Sequence, residues 1–231
     1  MGRYSFDATT PITAESWGAA YANAQTALSA TQAVLGGDPA AFALCRPPGH
    51  HAGRDYCGGY CYLNVAAIAA QRARDAGVER VAILDIDYHH GNGTQDIFYE
   101  RGDIFYASLH ADPATDYPFY WGHADEVGAG QGRGTTRNWP LPHGTKLEPF
   151  RAAQVQALEA IAAFGPGLLV VSFGADTWDG DPISNFALKT GDYAVLAADI
   201  AACDWPTVIV MEGGYAIDAL GHNVASFLSG F

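Results

Sequence analysis

Five short aliphatic runs alternate with longer alanine-rich amphipathic stretches along this chain. The runs Phe42–Cys45, Val81–Asp85, Ile104–Leu109, Leu168–Phe173 and Thr207–Met211 are apolar at nearly every position, not at every second one. A strand that is apolar on both sides belongs in a sheet covered on both faces, which is the parallel arrangement. The stretches Ala14–Leu35, Tyr62–Ala76, Leu147–Phe164, Gly191–Ala202 and Ile217–Leu228 read as helices. Thr10-Pro11 offers a cap and a first-turn proline to the first of them, and Gly36-Gly37 and Gly77 stop the first two. The alternation predicts an α/β fold: an open, mainly parallel β-sheet with helices on both faces and a site at the C-terminal ends of the strands. With 231 residues, 49% of them hydrophobic, residues 1–231 can bury one sizeable core and read as one domain.

Charge narrows the partners. Lysine and arginine number 12 against 25 aspartates and glutamates, a net charge of −13. Such a surface repels nucleic acid and anionic membranes and draws cationic ligands. There is no run of 18 apolar residues and no apolar segment behind Met1–Asp7, so the reading is a cytoplasmic protein with no membrane or nucleic-acid partner. Four cysteines do not make a disulfide framework. Cys57 and Cys61 lack a second close pair for a zinc site and read as packing residues.

The chemistry lies just after the strands. Arg46-Pro47-Pro48-Gly49-His50-His51 follows the first, Asp87-Tyr88-His89-His90-Gly91-Asn92-Gly93 follows Asp85-Ile86 at the end of the second, Gly174-Ala175-Asp176 follows the fourth, and Glu212-Gly213-Gly214-Tyr215 the fifth. Side chains alternate along a strand, so Asp85, Asp87 and His89 are expected on one face. Two carboxylates and an imidazole gathered there call for a cation. Asp87 and His89 suit Zn2+, and Asp176 can supply a third ligand from another strand, leaving a coordination position open, which is the catalytic pattern. The plainer reading, that Asp85 and Asp87 cap a loop, does not account for His89, His90 and Asp176. His50 and His51, behind a stiff turn, suit proton transfer near neutral pH. Asp85 suits one of them as a partner and Asn92 the other. Tyr215, behind two glycines, suits stabilisation of an oxyanion.

Taken together these residues resemble the histone deacetylase superfamily, of the arginase–deacetylase fold. The matching motifs are Arg46 to His51, Gly59-Tyr60-Cys61-Tyr62-Leu63-Asn64, Asp85 to Gly93, Ser108-Leu109-His110, Gly174 to Asp176 and Glu212 to Tyr215, in family order. The segments Asp112–Glu126 and Asp179–Ser184 look most like the bacterial acetylpolyamine amidohydrolases. The resemblance implies a zinc-dependent amidohydrolase that removes acetyl groups from amines by metal-activated water, with Fe2+ or Co2+ as substitute metals. It implies Asp87, His89 and Asp176 as zinc ligands and His51 as general base, then acid. His50, oriented by Asp85, tunes His51, and Tyr215 holds the oxyanion. The Gly59 carbonyl would accept the scissile amide N–H, and Tyr60 and Tyr117 would wall an apolar channel. The backbone near Asp85, Asp87, His89, Ser108 and Leu109 resembles the family's structural K+ site. The implied partners are a small cationic acetylated amine or an acetyl-lysine peptide, and a homo-oligomer is compatible with the family.

Two departures accompany the resemblance. It begins near Tyr4–Glu15, so the family's first strand and a loop over the mouth have no counterpart, and a more open site is expected. Asn92 stands where some eukaryotic relatives carry aspartate, which changes the polarity beside His51. Three other readings fit less well. A dimanganese ureohydrolase would need bridging carboxylates where Gly91 and Trp178 stand, a non-catalytic acetyl-amine binding module would not need the whole constellation, and the same centre could act as a deacylase or esterase on other small acyl substrates. His110, His123, His143 and His222 read as structural or solvated, and Gly128–Gly134 as a flexible surface loop, since it lacks a P-loop ending. Asp179 and Asp181 could either attract an ammonium or cap their own loop.

Overall fold

The aliphatic runs form five strands of a six-stranded sheet in the computed structural model, which describes residues 2–231. The strands are β1 (Ala40–Ala43), β2 (Val81–Asp85), β3 (Ile104–Ala111), β4 (Thr136–Leu141), β5 (Leu168–Phe173) and β6 (Thr207–Met211), in spatial order β1-β6-β5-β2-β3-β4. All five pairings are parallel. Every residue of β2, β3, β5 and β6 is buried. The helices are α1 (Ser16–Leu35), α2 (Val65–Asp75), α3 (Asn92–Phe98), α4 (Leu147–Phe164), α5 (Asp192–Ala201) and α6 (Ile217–Leu228). α1 and α2 pack together against the sheet, while α4, α5 and α6 form a second group, so one continuous apolar core runs through the layers. No helix among the described residues is long and apolar enough to cross a membrane.

The strand order explains where a site can form. From β2 the chain adds β3 and β4 on one side, then returns to place β5 and β6 on the other. The order therefore reverses between β2 and β5, which lie in register with Asp85 beside Ser172. The loops leaving these two strands meet at their C-terminal ends, the place where open α/β sheets form their sites.

The structure departs from expectation in several places. β1 lies two residues earlier than the run Phe42–Cys45. α1 begins at Ser16, so Thr10-Pro11 does not start it; Thr10 is buried, and its hydroxyl accepts the Tyr60 N–H at 3.0 Å. α2 begins at Val65, where Asn64 caps it by accepting the Ala67 N–H at 2.9 Å. β4 was hidden by Pro140, which cannot donate to a ladder and is tolerated because β4 is an edge strand. α3 was hidden by Asn92-Gly93, which resembles a turn. Gly128–Gly134 lies at the surface, as expected, with a short 3-10 turn in which only Gly132 is buried, where a Cβ would lie 2.5 Å from the Tyr99 carbonyl oxygen.

Candidate active site

The reversal between β2 and β5 brings two acidic loops together. β2 ends at Asp85, so strand alternation does not carry past it; the chain bends through Asp87 and His89. The bend is pinned by the carboxylates, with Asp85 accepting the Asp87 N–H at 3.2 Å and Asp87 accepting the His89 N–H at 2.8 Å. From the other loop Asp176 accepts the Tyr88 N–H at 3.0 Å. One ligand atom each from Asp87, His89 and Asp176 lies within 4.8 Å of the other two, and all three residues are buried. His89 Nδ1 stands 3.2 Å from Asp176 Oδ2 and 3.4 Å from Asp87 Oδ1. Glycines let the main chain close around them: a Cβ at Gly174 would lie 2.1 Å from Asp87 Oδ2, and one at Gly213 2.4 Å from Asp176 Oδ2.

The electrostatics of this cluster favour a cation. Burial and the neighbouring Asp87 charge push the Asp176 carboxyl well above the usual carboxylate range. Burial acts the same way on Asp87, but the imidazoles of His50 and His89 outweigh it and hold that group low. Two buried carboxylates and one imidazole nitrogen aimed at a common point form a donor set that a divalent metal fits, with O and N atoms of the hard-to-borderline kind.

His50 and His51 come from the β1–α2 loop and lie against the cluster. His50 Nδ1 is 3.0 Å from Asp85 Oδ2, and its Nε2 is 3.6 Å from Asp87 Oδ1. Burial opposes its charge, but the Asp87 and Asp85 carboxylates raise its pKa well above the ordinary value. His51 Nδ1 is 2.7 Å from Asn92 Oδ1, an oxygen that can only accept, so Nδ1 carries the proton and Nε2 keeps a free lone pair. Burial first, then the His50 and His89 charges, lower the His51 pKa well below 6.5. The adjacent histidines therefore differ in charge because of what each one faces.

A cavity of about 270 Å³ opens onto His51 and His89, with His50 buried behind them. His51, His89 and Tyr215 line it together with Gly59, Tyr60 and Tyr117. Gly59 has φ +56°, and a Cβ there would lie 2.1 Å from the His51 ring, so only glycine permits this approach. The Gly59 carbonyl accepts the Cys61 thiol at 3.3 Å. All four cysteines are free thiols. The Tyr117 ring meets His51 edge-on at 5.0 Å, and Tyr60 meets Tyr215 at 5.7 Å. Burial, with Asp176 and Asp87 nearby, keeps the Tyr215 phenol protonated far above neutral pH. Its loop is braced by Arg46, which donates to the Gly214 carbonyl at 3.3 Å.

One acidic residue does work that no motif signalled. Asp7 accepts the Gly59 N–H at 2.6 Å and the Tyr117 hydroxyl at 3.1 Å, tying two cavity walls together. Asp179 pairs with Lys189 at the surface, and both oxygens of Asp181 accept main-chain N–H groups, one of them from Ile183 in its own loop. His110 is buried between Ser108 and the Gly122 carbonyl, whereas His143 is exposed and pairs with Asp116.

Glu212, fully buried, accepts the Gly49 and His50 N–H groups at 2.6 and 3.1 Å and so holds the turn that presents the two histidines. Burial, opposed in part by His50, raises its pKa from 4.5 to about 7. Between those values the folded state keeps a proton that the unfolded chain releases, so the stabilising contribution is full below pH 4.5 and lost as pH rises through about 7. In chelator-treated protein, Tm should fall across that window, and Glu212→Gln should flatten the fall. Equal slopes would remove Glu212 as its source.

An α/β sheet with a carboxylate–imidazole cluster and a neutral histidine at its switch point defines the class of metal-dependent hydrolases. The chain belongs to the histone deacetylase domain family, which matches residues 2–231. It is 52% identical over 231 residues to acetylpolyamine amidohydrolase 1 of Pseudomonas aeruginosa and 50% identical over 230 residues to the acetylpolyamine amidohydrolase of Mycoplana ramosa, covering 100% of this chain and 67% of each relative. The crystal structure of acetylpolyamine aminohydrolase from Burkholderia pseudomallei superposes with a TM-score of 0.97 at 49% identity, over 99% of this chain and 67% of that one.

Proposed function

We propose that this protein is a zinc-dependent deacetylase that releases acetate from small cationic N-acetylated amines. The observation that carries the reading is the buried Asp87–His89–Asp176 cluster beside a neutral His51 at the floor of a tyrosine-walled cavity. Relatives at about half identity, named acetylpolyamine amidohydrolases, support the substrate class. The net charge of −13 supports a cationic substrate.

A divalent metal held by Asp87, His89 and Asp176 would supply Lewis acidity, polarising the acyl oxygen and acidifying water. The remaining work falls to this chain's own groups. His51 Nε2 takes a proton from the attacking water as its oxygen bonds to the acyl carbon. The Tyr215 hydroxyl donates a hydrogen bond to the oxygen that becomes negative. His51 then delivers its proton to the amine nitrogen as the C–N bond breaks, leaving acetate and a free amine. Asn92 fixes the His51 tautomer, and the His50–Asp85 pair sets the field beside it. The Gly59 carbonyl faces the amide N–H, and Tyr60 and Tyr117 hold the alkyl chain.

A second, monovalent cation accompanies this reading near the end of β2. Asp85 is in register with Ser108, and among the described residues no hydrogen bond reaches the main-chain oxygens of Asp87 and His89. A buried carboxylate and free carbonyls, with Leu109 next to Ser108, are hard-oxygen donors of the kind K+ takes.

The test is a kinetic panel of acetylputrescine, acetylspermidine and acetyl-lysine peptides on zinc-loaded protein, with metal content by elemental analysis. About one zinc per chain is expected, as three protein ligands around one open position require, with the highest kcat/KM on an acetylpolyamine. A preference for esters or longer acyl amides would favour the broader deacylase reading. Zinc-loaded protein that turns over none of the panel would sink deacetylation.

A further inference from the structure

The loop before Tyr215 is held at Gly213 and Gly214, by Asp87, the Ala175 N–H and Arg46, but none of these bonds reaches the main chain of Tyr215 itself. Tyr215 follows Gly213-Gly214, the most freely rotating pair a loop can contain, and Gly214 has φ +134°. It precedes α6, whose N-cap residue Ala216 offers no side-chain cap. The first main-chain N–H groups there need an acceptor from elsewhere.

That acceptor is Asp181. Its Oδ2 accepts the Tyr215 N–H at 2.7 Å and the Ala216 N–H at 3.1 Å, and its Oδ1 accepts the Ile183 N–H at 3.1 Å. The side chain is only 5% exposed, so these charge-assisted bonds compete little with water. Asp181 is itself fixed to the loop that carries Asp176: its N–H donates to the Trp178 carbonyl at 3.1 Å. A carboxylate at the start of α6 also meets the positive end of the helix dipole. One side chain therefore joins the Asp176 loop, the cavity-lining residue Ile183 and the main chain of Tyr215.

We infer that Asp181 is a positioning residue of the reaction, clamping the main chain at Tyr215 to the Asp176 loop so that the phenol stays over the acyl oxygen. The inference rests on the reading of Tyr215 given above. It assigns Asp181 a role in catalysis through Tyr215, distinct from that of an ordinary helix cap. A cap contributes to stability wherever it occurs, whereas this clamp controls where one hydroxyl lies. Displacing a catalytic group by about 1 Å can cost roughly 10²-fold in rate.

The test is a double-mutant cycle of Asp181→Asn and Tyr215→Phe on the zinc-loaded enzyme, reading kcat, KM, metal content and Tm. Asp181→Asn keeps the volume but replaces one acceptor with an amide donor facing main-chain N–H groups. It should lower kcat roughly 10- to 100-fold, by misplacing the hydroxyl, with KM and metal content little changed. In the Tyr215→Phe background the same change should lower kcat very little, because the group it positions is already gone. An equal fold-loss in both backgrounds, or a fall in Tm with kcat unchanged, would make Asp181 a helix cap only and overturn the inference. If Tyr215→Phe alone leaves kcat unchanged, the reading of Tyr215 fails, and the inference with it. Should Asp181→Asn not fold, Asp181→Ser, which keeps one acceptor, enters the same cycle.

Discussion

Asp176→Asn is expected to lose metal and turnover together, yet to make the metal-free protein more resistant to heat. Asn keeps the volume and one oxygen, and so can still accept the Tyr88 N–H that Asp176 takes at 3.0 Å. What it removes is a charge. In the metal-bound protein that charge is a ligand, and a neutral amide oxygen replaces it poorly. In the metal-free protein the same charge is a liability, because burial and Asp87 push the Asp176 carboxyl well above its usual range. A group whose folded pKa is raised binds its proton more tightly when folded, so its contribution falls as pH rises above the unfolded value near 3.8. At neutral pH, metal-free Asp176→Asn should therefore melt above metal-free wild type, and zinc should raise its Tm far less. Elemental analysis, a melting curve with and without chelator, and a rate assay read all three effects. Wild-type metal content with wild-type kcat/KM would remove Asp176 from the ligand set.

His51→Ala is expected to lower kcat by roughly 10²- to 10⁴-fold, the range for loss of a general acid–base group. Metal content should not change, because His51 is not among the three residues whose ligand atoms converge. That separates it from Asp176→Asn, in which activity and metal fall together. The pH profile adds a second check. The base must be neutral to accept a proton, so activity falls as pH drops through the His51 pKa. Burial and the His50 and His89 charges lower that pKa, which places the acidic limb of wild-type kcat/KM below pH 6.5. The limb should vanish from the residual activity of His51→Ala. An intact limb would assign it to another group, and a loss under tenfold would leave His51 without its role as base.

Much of the architecture was readable because its signals are local. A run such as Leu168–Phe173 is apolar at five of its six positions because both faces of β5 are covered, and that is written in consecutive residues. β4 escaped because an edge strand is under no such demand: it exposes Arg137, leaves Trp139–Leu141 half-buried and tolerates Pro140. The histidines and aspartates after the strands were readable because they cluster in short motifs. The alternation that was expected to align Asp85, Asp87 and His89 ends with β2 at Asp85, and hydrogen bonds within the bend gather these residues instead.

The carboxylates that support the site were not readable. Asp7 looks like any of the 25 acidic residues in the chain, and although Glu212 stands in a motif and Asp181 beside one, neither motif says which main-chain groups they hold. Glu212 reaches the His50 N–H across 162 positions and Asp7 reaches Tyr117 across 110. Nothing in the neighbourhood of an aspartate says which distant main-chain N–H it will meet.

The sequence alone determined the parallel sheet, the motifs at its strand ends and the residue types able to hold a metal, because periodicity and composition act over a few residues. Only the tertiary structure decided that β2 and β5 are neighbours, so that Asp87 and His89 meet Asp176. It also decided how the protonation of the two histidines differs, by setting Asp87 as well as Asp85 against His50 and burying His51 beside Asn92. The reason is physical. Strand order and the field at a buried group are sums over the whole folded chain, and they exist only once distant segments have been brought within a few ångströms of one another.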